Sequence, residues 1–114
     1  MRIQVKTRSG ATVDDQLRSK VEKKLEKVGR QVSALAELEI ELSEERNPAI
    51  RESHVAEATL HLKGVTLRAS ERSTDMGHAL NLMADDLARQ VKKHRDKRRA
   101  RREAHKGAAQ QRAA

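Results

Sequence analysis

Apolar and polar side chains alternate from the first residues of the chain. Ile3 and Val5 fall on one side and Arg2, Gln4 and Lys6 on the other, which predicts a short strand over residues 1–6. Arg8-Ser9-Gly10 interrupts it, and the period then changes. Leu17, Val21, Leu25 and Val28 recur at steps of four and three, the apolar stripe of an amphipathic helix. Thr12 offers an N-cap for that helix, Asp14 and Asp15 sit in its first turn where the helix dipole favours acids, and Gly29 or the polar turn after it provides a stop. Strict alternation returns in AELEIEL, residues 36–42, with Ala36, Leu38, Ile40 and Leu42 set against Glu37, Glu39 and Glu41. That is the pattern of a half-buried strand. The polar segment SEERNPAIRES holds the only proline and reads as a loop. Ala56, Ala58, Leu60 and Leu62 then define a third strand, Lys63-Gly64 a tight hairpin, and Val65, Leu67 and Ala69 the start of a fourth. Ser73 or Thr74 caps a second helix with the stripe Met76, Leu80, Met83, Leu87 and Val91. The predicted order is β-α-β-β-β-α, an α+β fold with a four-stranded sheet. One sheet face is apolar, so both helices are expected on that face.

No large aliphatic residue follows Val91, so the second helix is expected to continue as a solvated basic rod and fray in the Ala/Gln tail. This divides the 114 residues into a folded domain, 1–97, and a basic, flexible tail, 98–114. Charge follows the same division. Residues 89–114 hold 11 of the 25 Lys and Arg with only Asp96 and Glu103 among the acids, whereas residues 1–88 are close to neutral. A nearly neutral body carrying a cationic arm, Lys92 to Lys106, attracts polyphosphates or anionic lipid.

The chain contains no Phe, Tyr, Trp or Cys. Its core must be aliphatic, and a disulfide framework and Cys-based zinc sites are excluded. Base stacking on aromatic platforms, the means by which many single-strand RNA readers work, is excluded too. Any nucleic acid bound here is held through phosphates, sugar edges and shape. Lipid is disfavoured because residues 92–106 lack the Trp, Phe or Leu that a basic helix needs in order to insert. The N-terminus lacks the apolar stretch of a signal peptide and no run reaches membrane-spanning length, so a cytoplasmic location is expected.

At about 100° per residue, Lys20, Lys23, Lys24, Lys27 and Arg30 gather on one flank of the first helix, while Glu22 and Glu26 lie on the other. Arg89, Lys93 and Lys97 recur every four residues beside the second apolar stripe, and Lys92 and Arg98 belong to the arm. A lysine-rich face on one helix is ordinary solvated surface. Two such flanks on one sheet face, together with the arm, favour a cationic groove that matches RNA phosphates. The other constellations are weak. His54 and His61 are seven apart in a strand and should face opposite ways, and His94 and His105 sit among cations that repel a metal ion. Neither metal nor cofactor is expected. Glu37, Glu39 and Glu41 are expected to pair across strands with Arg68, His61 or Lys6. No nucleophile–base spacing, phosphate-cradling glycine loop or zinc-protease spacing is present, so no enzyme is expected.

IQVK (Ile3 to Lys6), VEKKLEKV (Val21 to Val28), VAEATLHLKGVTLRASERSTDM (Val55 to Met76) and LARQVKKHRDK (Leu87 to Lys97) occur in an order and spacing that resemble the bacterial ribosome hibernation-promoting factor and ribosome-associated inhibitor family. The resemblance implies a fold like that of double-stranded RNA-binding domains. It also implies docking on the small ribosomal subunit against 16S rRNA, where the family fills the mRNA channel, excludes mRNA and tRNA, and blocks translation in stress or stationary phase. By position, Lys24, Lys27, Arg30, Arg89, Lys93 and Lys97 correspond to the family's rRNA contacts. Asp86 stands where short members often carry lysine, although it can pair with Arg89. Gly77 stands where an aromatic residue is common, and the loop over residues 7–12 is about one residue longer than usual. Ribosome pairing is expected only if a further C-terminal domain exists, and the chain could be a natural short form or an N-terminal half. Two alternatives stand beside this reading: a general double-stranded RNA-binding module, and a protein-interaction domain that uses the exposed sheet. A DNA-binding regulator would need a recognition helix, and none is discernible.

Overall fold

The computed structural model describes the backbone of all residues except Ser9, Thr12 and Ala114, and side chains as far as Ala104 apart from those of Ser9 and Thr12. The elements are β1 (Arg2–Arg8), α1 (Asp15–Gly29), β2 (Glu37–Glu44), β3 (His54–Leu62), β4 (Val65–Ser73) and α2 (Met76–Ala113), in the β-α-β-β-β-α order read from the sequence. The sheet runs β1-β2-β3-β4. β1 pairs with β2 in parallel, with Arg2 opposite Glu37, while β2–β3 and β3–β4 are antiparallel. The crossover through α1 makes the first pairing parallel, and the short links make the other two antiparallel.

Alternation along the strands converts directly into two faces. Leu38, Ile40, Leu42, Ala56, Ala58, Leu60 and Ala69 are buried, and Val21, Leu25 and Val28 of α1 join them in one cluster with Leu80, Met83, Leu87 and Val91 of α2. Both helices therefore cover the same face. α2 lies over β3 and β4; Ile3 and Val5 of β1 are partly buried against the cluster. Gly64 takes φ +78°, the left-handed conformation that a two-residue hairpin requires.

The caps differ from expectation. Asp14, not Thr12, caps α1: its Oδ1 accepts the Leu17 N–H at 2.7 Å, and its own backbone is extended (φ −83°, ψ 170°). Thr12 lies outside the described residues. At α2 the capping oxygen belongs to Asp75, whose Oδ2 accepts the His78 N–H at 3.0 Å. Ser73 instead ends β4 opposite His54, and its side chain is 2.7 Å from His78 Nδ1. An Asp at either position satisfies the same orphan amides as Thr or Ser would; where the backbone turns from extended to helical decides which one serves.

α1 ends at Gly29 with Arg30 as C-cap. α2 is far longer than its apolar stripe, at 38 residues. Every described side chain from Asp96 to Ala104 is exposed, so this part of the helix extends past the core. Residues 98–113 of the expected tail belong to this helix by backbone; their side chains beyond Ala104, including His105, lie outside the described residues.

Candidate nucleic-acid interface

The helical layer carries the cations. Lys20, Lys23, Lys24, Lys27 and Arg30 are all exposed on α1. Lys24 turns towards α2, with Nζ 3.0 Å from Asn81 Oδ1 and 3.6 Å from Asp85 Oδ1. Lys20 and Lys24 line one crevice with Gly77, His78 and Asn81, a hollow of about 220 Å³. β1, β2 and β4 run in one direction and each helix returns across the same sheet face after β1 or β4, so the two helices run side by side in the same direction.

Arg89, Lys92, Lys93 and Lys97 lie together on α2, lining one shallow surface with Asp96. Arg89 follows Asp85 by one helical turn, so this patch begins where the Lys24 contact ends. The two basic groups thus lie along the outer side of the helical layer, with Asp85 between them. Arg89 Nη2 is 3.6 Å from Asp86 Oδ1, the pairing expected from the sequence. Asp86 is also 3.4 Å from Gln90 Nε2, which donates to the Arg68 carbonyl at 2.7 Å. That chain of contacts ties α2 to the outer edge strand, β4. Lys23, Lys27 and Arg30 project from α1 outside these two surfaces. Arg98 is set apart from the other nine, in a separate hollow with Lys63, His94 and Arg95.

The opposite sheet face is striped by charge. Strand β1 presents Arg2, Lys6 and Arg8, and β2 presents Glu37, Glu39 and Glu41 beside it. Glu39 pairs with His61 at 3.6 Å, as expected. Glu41 pairs with Arg8 at 2.9 Å, not with Lys6 directly opposite it. The diagonal neighbour wins because an arginine two residues along the same face has the reach to span the offset. His54 lies opposite Glu44 and Ser73, on the other side of the sheet from His61, and no group of three or more metal-ligating side chains occurs among the described residues. No helix among them is long and apolar enough to cross a membrane.

The Lys24 contacts to Asn81 and Asp85 are absent from the sequence reading. The signal was available, since positions 81 and 85 fall one turn apart on the same side of α2.

Fold and surface together define a small α+β domain whose two parallel helices present a cationic outer layer over a mixed sheet. The chain belongs to the family described as Sigma 54 modulation protein / S30EA ribosomal protein, whose model matches residues 3–99. Similar proteins include a ribosome hibernation promotion factor of Picosynechococcus, 33% identical over 86 residues that make up 75% of this chain and 45% of that protein. A ribosome hibernation promoting factor of Azotobacter vinelandii is 33% identical over 85 residues, 75% of each chain. The chain thus spans about half the length of the first relative and three quarters of the second. Among solved structures, the N-terminal domain of Thermus thermophilus Protein Y superposes with a TM-score of 0.68 at 26% identity, covering 82% of this chain and 99% of that one. A ribosomal subunit interface protein from Coxiella burnetii shares the fold, with a TM-score of 0.69 at 24% identity over 84% of this chain and 99% of that one.

Proposed function

We propose that this chain is a ribosome hibernation factor acting in the cytoplasm, without catalysis, by occupancy. Its helical layer lies against 16S rRNA in the mRNA and tRNA channel of the small subunit. There it excludes both ligands by volume, under stress or in stationary phase. The observation that carries this reading is the exposed surface that Arg89, Lys92, Lys93 and Lys97 share on α2, on the same side of a family fold as the exposed lysines of α1. Relatives bearing the name ribosome hibernation promoting factor support the same reading.

Phosphate contacts of this kind are individually weak and sum through counterion release, so affinity falls with log salt by about 0.7 to 0.9 per phosphate neutralised. The sheet face is the poorer RNA surface because its central column is acidic.

The test is co-sedimentation with purified bacterial small subunits near physiological salt, with excess unrelated double-stranded RNA present. Binding should saturate near one copy per subunit, survive the competitor and be displaced by mRNA with tRNA. Loss of binding to the competitor would instead make the chain a general duplex-RNA module. The double variant Lys27→Glu/Lys93→Glu should lose binding while keeping its circular-dichroism melt, since both side chains are exposed. Undiminished affinity in that variant would overturn the assignment of the helical layer.

A further inference from the structure

Leu35 is the most exposed large apolar side chain among the described residues, at 90%. It does not sit in a slack loop. The Ala36 N–H donates to the Ser33 carbonyl at 3.0 Å and the Leu35 N–H to Ser33 Oγ at 3.1 Å, so a hydrogen-bonded turn holds the leucine outward. The Arg2 N–H donates to the Ala36 carbonyl at 2.8 Å and anchors the turn to β1. Beside the leucine opens a hollow of about 600 Å³, formed by the α1–β2 loop, the β3–β4 hairpin and the middle of α2. Val32 and Leu62 contribute apolar lining with Leu35, and Lys63, Arg95 and Arg98 contribute cations, against a single carboxylate, Glu37.

Arg95 adds an unmet demand. Its Nε is shut off from solvent and makes no hydrogen bond among the described residues; Asp96 Oδ1, at 3.8 Å, is beyond hydrogen-bonding reach. The side chain as a whole is 42% exposed, so its guanidinium is open to a partner, and a carboxylate is the acceptor that fits its fork best.

We infer that this hollow is a docking site for an acidic segment of a partner protein, with one aliphatic side chain set against Leu35, Val32 and Leu62 and flanking carboxylates on Lys63, Arg95 and Arg98. Three aliphatic side chains side by side suit an aliphatic side chain of a peptide better than the phosphates and sugars of an RNA backbone. The occupant is not a second copy of this region, which would bring a second cationic wall against the first. The site stands on observations separate from the ribosome reading and does not depend on it.

The probe is a twelve-residue peptide alternating Glu and Leu, titrated into the 15N-labelled chain of 114 residues and followed by amide chemical shifts. Two control peptides replace Leu by Ser or Glu by Lys, and a single-stranded RNA dodecamer is the fourth ligand. The Glu/Leu peptide should shift Val32, Ser33, Leu35, Lys63 and Arg98 in a saturable way. Leu35→Glu and Arg98→Glu should each weaken it about tenfold or more, and Lys27→Glu/Lys93→Glu should leave it unchanged. Equal binding by the Leu-free peptide, shifts centred on Lys20, Lys24 and Lys93, or RNA binding that depends on Leu35 would each overturn the proposal. So would failure of the Glu/Leu peptide to bind. Concentration-dependent self-association abolished by Leu35→Glu would overturn it in favour of a homodimer contact. Both positions are exposed, so neither variant endangers the fold.

Discussion

Asp75, Ser73 and His78 form a small knot where β4 gives way to α2. The Asp75 carboxylate caps the helix, its own N–H lies 3.4 Å from Ser73 Oγ, and that hydroxyl is 2.7 Å from His78 Nδ1. Ser73 is the one buried polar side chain, at 6% exposure, among the described residues. Asp75→Ala should therefore cost about 1 kcal/mol, read as a lowered midpoint in thermal or urea unfolding. Asp75→Asn should recover most of it, because the amide oxygen accepts the same bond. At this scale the sequence was only partly legible. A run such as Ser73-Thr74-Asp75 offers three capping oxygens in succession, and side-chain chemistry ranks them almost equally. The register that places Ser73 opposite His54 consumes the first as strand and moves the helix start two residues on. At α1 the cap falls on Asp14, whose backbone is still extended where the helix begins. A deeper substitution has a larger effect: Leu25 is fully buried in the cluster that both helices form with the sheet, and Leu25→Ala should cost about 2–5 kcal/mol, a large share of a small domain's stability.

Elements were more legible than their ends. Periods of two and of 3.6 are set by backbone geometry, and in this chain nearly every apolar residue obeys one of them, so four strands and two helices follow from spacing alone. What spacing does not carry is which strands become neighbours; the parallel seat of β1 beside β2 depends on how the α1 crossover packs. The hairpin was legible because Gly64 meets a demand that other residues meet poorly. A Cβ there meets no described atom within 4 Å, so Gly64→Ala tests conformation alone. It should lower stability by about 1 kcal/mol without disturbing the cationic layer. The long α2 separates two jobs along one element: an apolar stripe to Val91, then cations. Deleting residues 99–114 removes five cations and no described buried side chain. Its melt should remain within about 2 °C of the full chain, because the packing of α2 on the core is intact. Its salt dependence on the small subunit should become shallower by about 0.7 to 0.9 for each phosphate that the arm neutralises in the full chain. An unchanged slope would show that the arm beyond Arg98 neutralises nothing.

Across the whole molecule, two faces divide the chemistry. The helical layer gathers cations, and the sheet face sets a basic column on β1 beside an acidic one on β2, with Arg8 paired to Glu41 and His61 3.6 Å from Glu39. Helical geometry predicts each basic flank by itself. The placement of Asp85 between them, and of Arg98 in another hollow altogether, depends on how the two helices pack, which no one-dimensional pattern contains.

The seat of β1 also bears on how the chain reaches its folded state. β2, β3 and β4 are sequence neighbours joined by short links, so their pairing closes small loops, whereas Arg2 must find Glu37 across the whole of α1. Loop closure makes distant pairings late. The meander is thus expected to be formed in the folding transition state, with β1 added afterwards at the edge. Val5→Ala should speed unfolding and leave refolding almost unchanged, while Leu60→Ala should slow refolding, a contrast that stopped-flow measurements in urea would read directly. The strand synthesised before the other three would then be the last of them to find its place.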